Sequence, residues 1–281
     1  MTAEAARRLL RFPRHRFTVE APATTLADLE MLYPGGVVSP RTSDPEVDGA
    51  FSLRGRPGAW VLDRTDEPEE LGSFERPVHA WLKLEHTVEG LILDCPRADV
   101  AFHGGAVALP EGASLVAGTA DAGKSSTIFQ LVELGHPFLA EELALVDGEG
   151  RVTPHPQSIA LSPRVLADFE RERAPACGRV ETIDEFLLRY LPHRPCRRPT
   201  PLRSILLPEY SPREEPAVER LPASDVLTDV LRFCFEPRGD AEATIDRVIE
   251  LVSAIPVVRF RYRDAGSARA TLQSLFGTGA P

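Results

Sequence analysis

Lysine is almost absent from this 281-residue chain: of 32 cationic side chains only Lys83 and Lys124 are lysine, and the other thirty are arginine. Cysteine is also scarce. Cys95, Cys177, Cys196 and Cys234 lie far apart, with no CxxC and no Cys/His pair at zinc-ligand spacing. This excludes a disulfide scaffold and a zinc-ribbon site, and reads as ordinary thiols of a reducing compartment. No apolar run approaches the ~18 residues that cross a bilayer, so no membrane partner and a cytoplasmic location are expected. Basic charge is lacking overall: 42 acids against 32 bases leave a net charge of -10, which argues against nucleic acid as a partner. What the chain does have is 43% hydrophobic residues, enough to bury a core without a covalent or metal staple.

Twenty-six prolines punctuate the chain. The N-terminal MTAEAARRLLRFPRHRF, with five arginines, reads as a short solvated helix stopped at Pro13 in preference to a targeting segment. Phe51–Leu53 and Ala59–Leu62 read as strands. Pro77–Val88 reads as a helix with Trp81, Leu84 and Val88 on one core-facing side. Residues 192–216 are rich in proline and charge and read as loops around one short strand, Leu202–Leu207. Beyond them, Ala223–Phe235, Ala241–Ala254 and Ser267–Phe276 have helical spacing, and Val257–Tyr262 reads as a strand. Strands alternating with helices predict an α/β fold.

The informative segment is residues 97–162. Val100–Leu109 and Ser114–Ala117 read as strands joined by a compact Pro-Glu-Gly turn. Directly after the second stands Gly118-Thr119-Ala120-Asp121-Ala122-Gly123-Lys124-Ser125, a full match to GxxxxGK[ST], and Ser126 opens a helical pattern that ends at Gly135. Strand, glycine-rich loop and helix in that order form an anion cradle. Gly118 and Gly123 are expected to let the backbone turn so that consecutive amides converge at the helix N-terminus. Lys124 supplies a compact ammonium to the β- and γ-phosphates, and Ser125 places a hydroxyl on Mg²⁺. One of only two lysines thus falls where a lysine is wanted. Asp121 would repel phosphate unless it points to solvent, and is read as solvent-facing.

Two carboxylate candidates follow. Leu143–Val146 is an apolar strand ending in Asp147, but Asp147-Gly148-Glu149-Gly150 before a new β-prone run is a hairpin signature, so Asp147 is expected at a tight turn. Glu141 and Glu142 are then the better metal-ligand or base candidates.

His103-Gly104, the loop GTADAGKSS and Gly135-His136-Pro137-Phe138-Leu139-Ala140-Glu141-Glu142 stand in an order and spacing that resemble the HPr kinase/phosphorylase family. The run Thr153-Pro154-His155-Pro156 with Ser158–Leu161, and the late Pro-Val-Val-Arg-Phe-Arg-Tyr strand, are similar to the short HPr-kinase-like proteins of peptide-modification clusters. Close similarity spans about residues 97–162. The resemblance implies an α/β P-loop kinase core, a mixed sheet with flanking helices related to the nucleotide-binding part of phosphoenolpyruvate carboxykinase, over residues 96–281. Residues 1–95, a divergent N-terminal α/β region, and 192–216 depart from that pattern, and for that reason are expected to serve acceptor recognition. It implies ATP or another nucleoside triphosphate with Mg²⁺, a small protein or peptide acceptor, transfer to a serine or other hydroxyl, and a homo-oligomer. His103, Lys124, Glu141 and Glu142 would be the catalytic set, residues Gly118 to Ser126 the nucleotide cradle, and Ser125 and Glu142 the metal ligands. His136 and His155 are read as structural. The family's acidic pair is normally Asp-Asp, and glutamate keeps the charge while adding a methylene. The chain lacks the family's glycine- and arginine-rich C-terminal signature, so HPr itself is not implied as substrate. Two other readings compete: a nucleotide-binding regulatory or scaffold protein whose glutamate pair no longer supports transfer, and a small-molecule kinase.

Overall fold

The structure is a computed structural model that describes residues 5–41, 46–94, 100–155, 157–171, 179–185, 187–192, 194–235 and 241–279; the side chains of residues 169–171 lie outside the description. Cys95 and Cys177 fall outside it as well, while Cys196 and Cys234 carry free thiols. The chain divides into two units, Met1–Arg97 with Pro156–Ser158, and Ala98–His155 with Ile159–Pro281.

The first unit contains β1 (Ala5–Arg11), β2 (Arg16–Pro22), α1 (Leu26–Leu32), β3 (Val37–Val38), β4 (Gly49–Arg56), β5 (Ala59–Arg64), β6 (Glu69–Phe74) and α2 (Pro77–Leu93). Its six strands form one sheet in the order β3-β1-β2-β4-β5-β6. The N-terminal segment expected as a solvated helix is instead a strand, paired antiparallel with β2 from Ala5↔Pro22 to Arg11↔Arg16. Its two adjacent leucines explain the difference. Leu9 and Leu10 are both buried between β2 and β3, a burial that a short arginine-rich surface helix would not provide. Trp81 of α2 is buried as expected, and its indole Nε1 donates to the Thr25 carbonyl at 2.9 Å.

The second unit contains β7 (Val100–Leu109), β8 (Gly112–Ala117), α3 (Lys124–Glu133), β9 (Phe138–Ala140), β10 (Leu143–Val146), β11 (Arg151–Thr153), β12 (Ile159–Leu161), α4 (Pro163–Arg171), β13 (Arg179–Thr182), β14 (Leu188–Leu191), β15 (Thr200–Tyr210), β16 (Ala217–Leu221), α5 (Ala223–Arg232), α6 (Ala241–Ala254), β17 (Val257–Tyr262) and α7 (Ala265–Phe276). Its main sheet runs β11-β10-β7-β8-β15-β17-β16, with β9 also paired to β7. β8, β15 and β17 are mutually parallel and the other pairs antiparallel, so this is a mixed α/β sheet with flanking helices. A small sheet, β12-β14-β13, accompanies it.

β15 is longer than the sequence predicts. It continues through Pro208 to Tyr210, although proline cannot donate to the ladder. Placement between β8 and β17, with Ile205, Leu206 and Leu207 buried, outweighs that local cost. Because β8, β15 and β17 share a direction, their C-terminal ends open on one edge of the sheet, the edge on which such sheets bind ligands.

Candidate active site

β8 is buried from Ala113 to Ala117 and delivers the chain to the glycine-rich loop at that edge. Gly123, the N-cap of α3, is left-handed at φ 98°. A Cβ there would stand 1.7 Å from the Tyr262 hydroxyl oxygen, so both backbone conformation and space demand glycine. Gly118 differs from expectation. It is not among the left-handed residues, and a Cβ on it would come 3.1 Å from that of Ala122, so its contribution is room and not dihedral freedom. The loop's second left-handed residue is Asp121, at φ 60°. Its side chain is exposed, yet it lines the cleft. Lys124 Nζ donates to the Thr119 carbonyl at 3.1 Å. α3 is anchored behind the loop by buried Ile128, Phe129, Leu131 and Val132.

The loop faces a cleft of about 830 Å³. Of the residues singled out from sequence, His103, Ala120, Asp121, Gly123, Lys124, Ser125, Ser126 and Glu142 line it, whereas Gly118, Thr119, Ala122 and Glu141 do not. His103 lies on β7 and Glu142 immediately before β10. Strand pairing of Leu143 with His103 brings them together across 39 positions of sequence. His103 Nε2 and Glu142 Oε2 are 3.0 Å apart, with both side chains about half exposed. The imidazole is oriented from behind by stacking on Phe235, with ring centroids 5.7 Å apart, and its own backbone N–H donates to the Phe233 carbonyl at 2.7 Å.

The two glutamates part company. Glu142 is left-handed at φ 57° and sends its side chain to the cleft. Glu141 is buried at 2% exposure, and its Oε2 accepts from the Ala160 N–H at 2.6 Å. Burial pushes the Glu141 carboxyl up to about 8, and the neighbouring Glu142 charge adds to the rise. The Ser125 hydroxyl, the Ala160 N–H and the Arg189 guanidinium act the other way. Burial thus favours the protonated form of Glu141 over the carboxylate. Asp147 is at the hairpin turn expected of it: its carboxylate accepts from the Glu149 and Arg151 backbone N–H groups and pairs with the Arg151 guanidinium at 2.9 Å. His136 and His155 are buried and do not line the cleft.

Several neighbours of the loop were not found from sequence. Tyr210, Tyr262 and Arg263, at the ends of β15 and β17, and Arg164 and Asp168 of α4 all line the cleft. The β17 strand itself is legible, but nothing in the sequence reveals that it runs parallel to β8 two places away. Gly104 and Gly105 form a second missed feature. A Cβ on Gly104 would meet the Val116 carbonyl oxygen at 2.4 Å. On Gly105 it would meet Ile128 Cδ1 at 2.2 Å and the Ala140 carbonyl oxygen at 2.5 Å. Two glycines inside a strand are the available signal of such close approach.

Ser125 and Glu142 offer a hydroxyl and a carboxylate to the cleft. Both are hard oxygen donors of the kind that Mg²⁺ takes.

No protein-family model and no curated protein sequence matches the chain. Among solved structures it is similar to the HPr(Ser) kinase/phosphatase from Coxiella burnetii, at 11% identity over 62% of this chain and 96% of that one, with a TM-score of 0.26. At that level the likeness is distant and carries no reading of activity.

Proposed function

We propose that the chain is a Mg²⁺-dependent phosphotransferase that moves the γ-phosphoryl group of ATP or another nucleoside triphosphate to a serine or other hydroxyl of a small protein or peptide. The observation that carries this reading is the strand–loop–helix unit of β8, Gly118–Ser125 and α3, opening on the same cleft as the His103–Glu142 pair. The same reading relates the sheet around β8 to the nucleotide-binding part of phosphoenolpyruvate carboxykinase.

In this mechanism the loop amides and Lys124 hold the phosphate chain, and catalysis is chiefly positioning and charge stabilisation. Mg²⁺ held by Ser125 and Glu142 would supply neutralisation of the phosphate charge. The acceptor oxygen forms its bond to the γ-phosphorus as the bond from that phosphorus to the β–γ bridging oxygen breaks. The nucleoside diphosphate leaves, and the hydroxyl proton passes to the His103–Glu142 pair. Glu141, hydrogen-bonded in the interior, is a positioning residue that ties the turn before β10 to β12. Residues 1–95 and the proline-rich 192–216 are assigned acceptor recognition, a reading supported by their divergence from the pattern of the P-loop core.

Calorimetric titration with ATP and Mg²⁺ tests the binding half. Wild type binds, and Lys124→Ala binds about 10- to 100-fold more weakly through loss of a charged contact. Incubation with ATP and candidate small proteins, followed by mass spectrometry for an added phosphate, tests the transfer half. ATP binding without any turnover in the wild type would overturn the kinase assignment in favour of a nucleotide-binding scaffold.

A further inference from the structure

The phosphate loop lies between two unlike edges. In the sheet, β7 stands on one side of β8, and β15 followed by β17 on the other. The β7 side carries the His103–Glu142 pair. The other side ends in two tyrosines that are in register on adjacent parallel strands, Tyr210 on β15 and Tyr262 on β17, with ring centroids 5.6 Å apart. Tyr262 is buried, and its hydroxyl fills the space beside Gly123. Tyr210 is 39% exposed and lines the cleft. Tyr262 flanks its ring, and Arg164 Nη2 donates to its hydroxyl at 3.3 Å. Val165 and Ala265 add apolar surface to the cleft wall.

A nucleoside triphosphate is a polyanion at one end and a neutral aromatic base at the other. If the phosphates occupy the loop and the transferred group faces the charged pair on the β7 side, the nucleoside is directed to the β15–β17 side. There the wall offers an exposed aromatic ring. We propose that Tyr210 is the platform on which the nucleotide base stacks, with Arg164 as the residue that positions the ring; this assignment rests on the nucleotide reading given above. Stacking uses the π-face that every base possesses, so ATP and GTP bind with affinities within a few-fold of each other.

The test is equilibrium binding of ATP, GTP and inorganic tripolyphosphate, each with Mg²⁺, to the full chain and to its Tyr210→Ala and Tyr210→Phe variants, with thermal melting as the check on folding. Tyr210→Ala is expected to weaken ATP and GTP about tenfold while leaving tripolyphosphate unchanged. Tyr210→Phe, which keeps the ring, is expected to stay within about threefold of wild type. Unchanged ATP affinity in Tyr210→Ala overturns the assignment. So does an equal loss for ATP and tripolyphosphate, which would mean that the variant disturbs the loop through Tyr262. If the wild type binds tripolyphosphate but ATP no more tightly, the phosphate loop stands and the stacking platform falls. If it binds neither, the nucleotide reading itself fails and takes the platform with it.

Discussion

Glu141 and Glu142 are neighbours in sequence with the same side chain, yet one is buried and bonded to the Ala160 N–H, its carboxyl pushed up by burial, while the other is half exposed and paired with His103. A single left-handed residue, Glu142 at φ 57°, separates the two environments. Such a backbone costs a non-glycine residue of order 1–2 kcal/mol, and strain of this kind concentrates at working sites. The difference teaches that an acidic pair need not be one structural unit. The backbone selects which carboxylate meets the cleft and which is buried.

The largest effect expected from this contrast is on turnover. Glu142→Gln removes the charge facing His103 and one of the proposed Mg²⁺ ligands, and should lower phosphoryl transfer from labelled ATP by about 10²- to 10⁴-fold. Next comes stability. Glu141→Ala leaves the Ala160 N–H without its acceptor and should cost about 1–3 kcal/mol in urea unfolding, whereas Glu141→Gln retains an acceptor oxygen and should cost less.

A third signature is the response to pH. The Glu141 carboxyl titrates at about 8 in the folded protein against 4.5 for the free side chain, so between these values the folded state holds a proton that the unfolded state has released. Its contribution to stability is fully present below pH 4.5 and is lost as pH rises towards 8. Unfolding measured at pH 5 and pH 8 should show the wild type losing about 1 kcal/mol or more beyond what Glu141→Gln loses. The smallest expected effect has the opposite sign. Glu142→Gly relieves the left-handed backbone and should raise stability by about 0.5 kcal/mol, after the entropy of glycine is deducted, while abolishing transfer. A gain in stability bought with activity at one residue and a loss of stability without activity at the next would separate the two glutamates cleanly.

The phosphate loop was legible because its chemistry is local: eight consecutive residues, a strand before them and a helix after them. Asp147 was legible for the same reason, since Asp-Gly followed by Glu-Gly fixes a turn without help from the rest of the chain. The N-terminal strand was not, because the burial of both Leu9 and Leu10 depends on β2 and β3, and arginines around them mimic a solvated helix. The His103–Glu142 contact depends on β7 pairing with β10, and the Tyr210–Tyr262 wall on three parallel strands; both are long-range facts that spacing cannot supply. The split between Glu141 and Glu142 lay one level deeper, in a single backbone dihedral.

The most direct measurement is release or transfer of labelled γ-phosphate from ATP with Mg²⁺ by the wild type, Glu141→Gln and Glu142→Gln, side by side. The expected result is turnover by the wild type, turnover within about threefold of it by Glu141→Gln, and a loss of at least about 10²-fold in Glu142→Gln. Absence of turnover in the wild type, or loss in Glu141→Gln with Glu142→Gln unaffected, would contradict it.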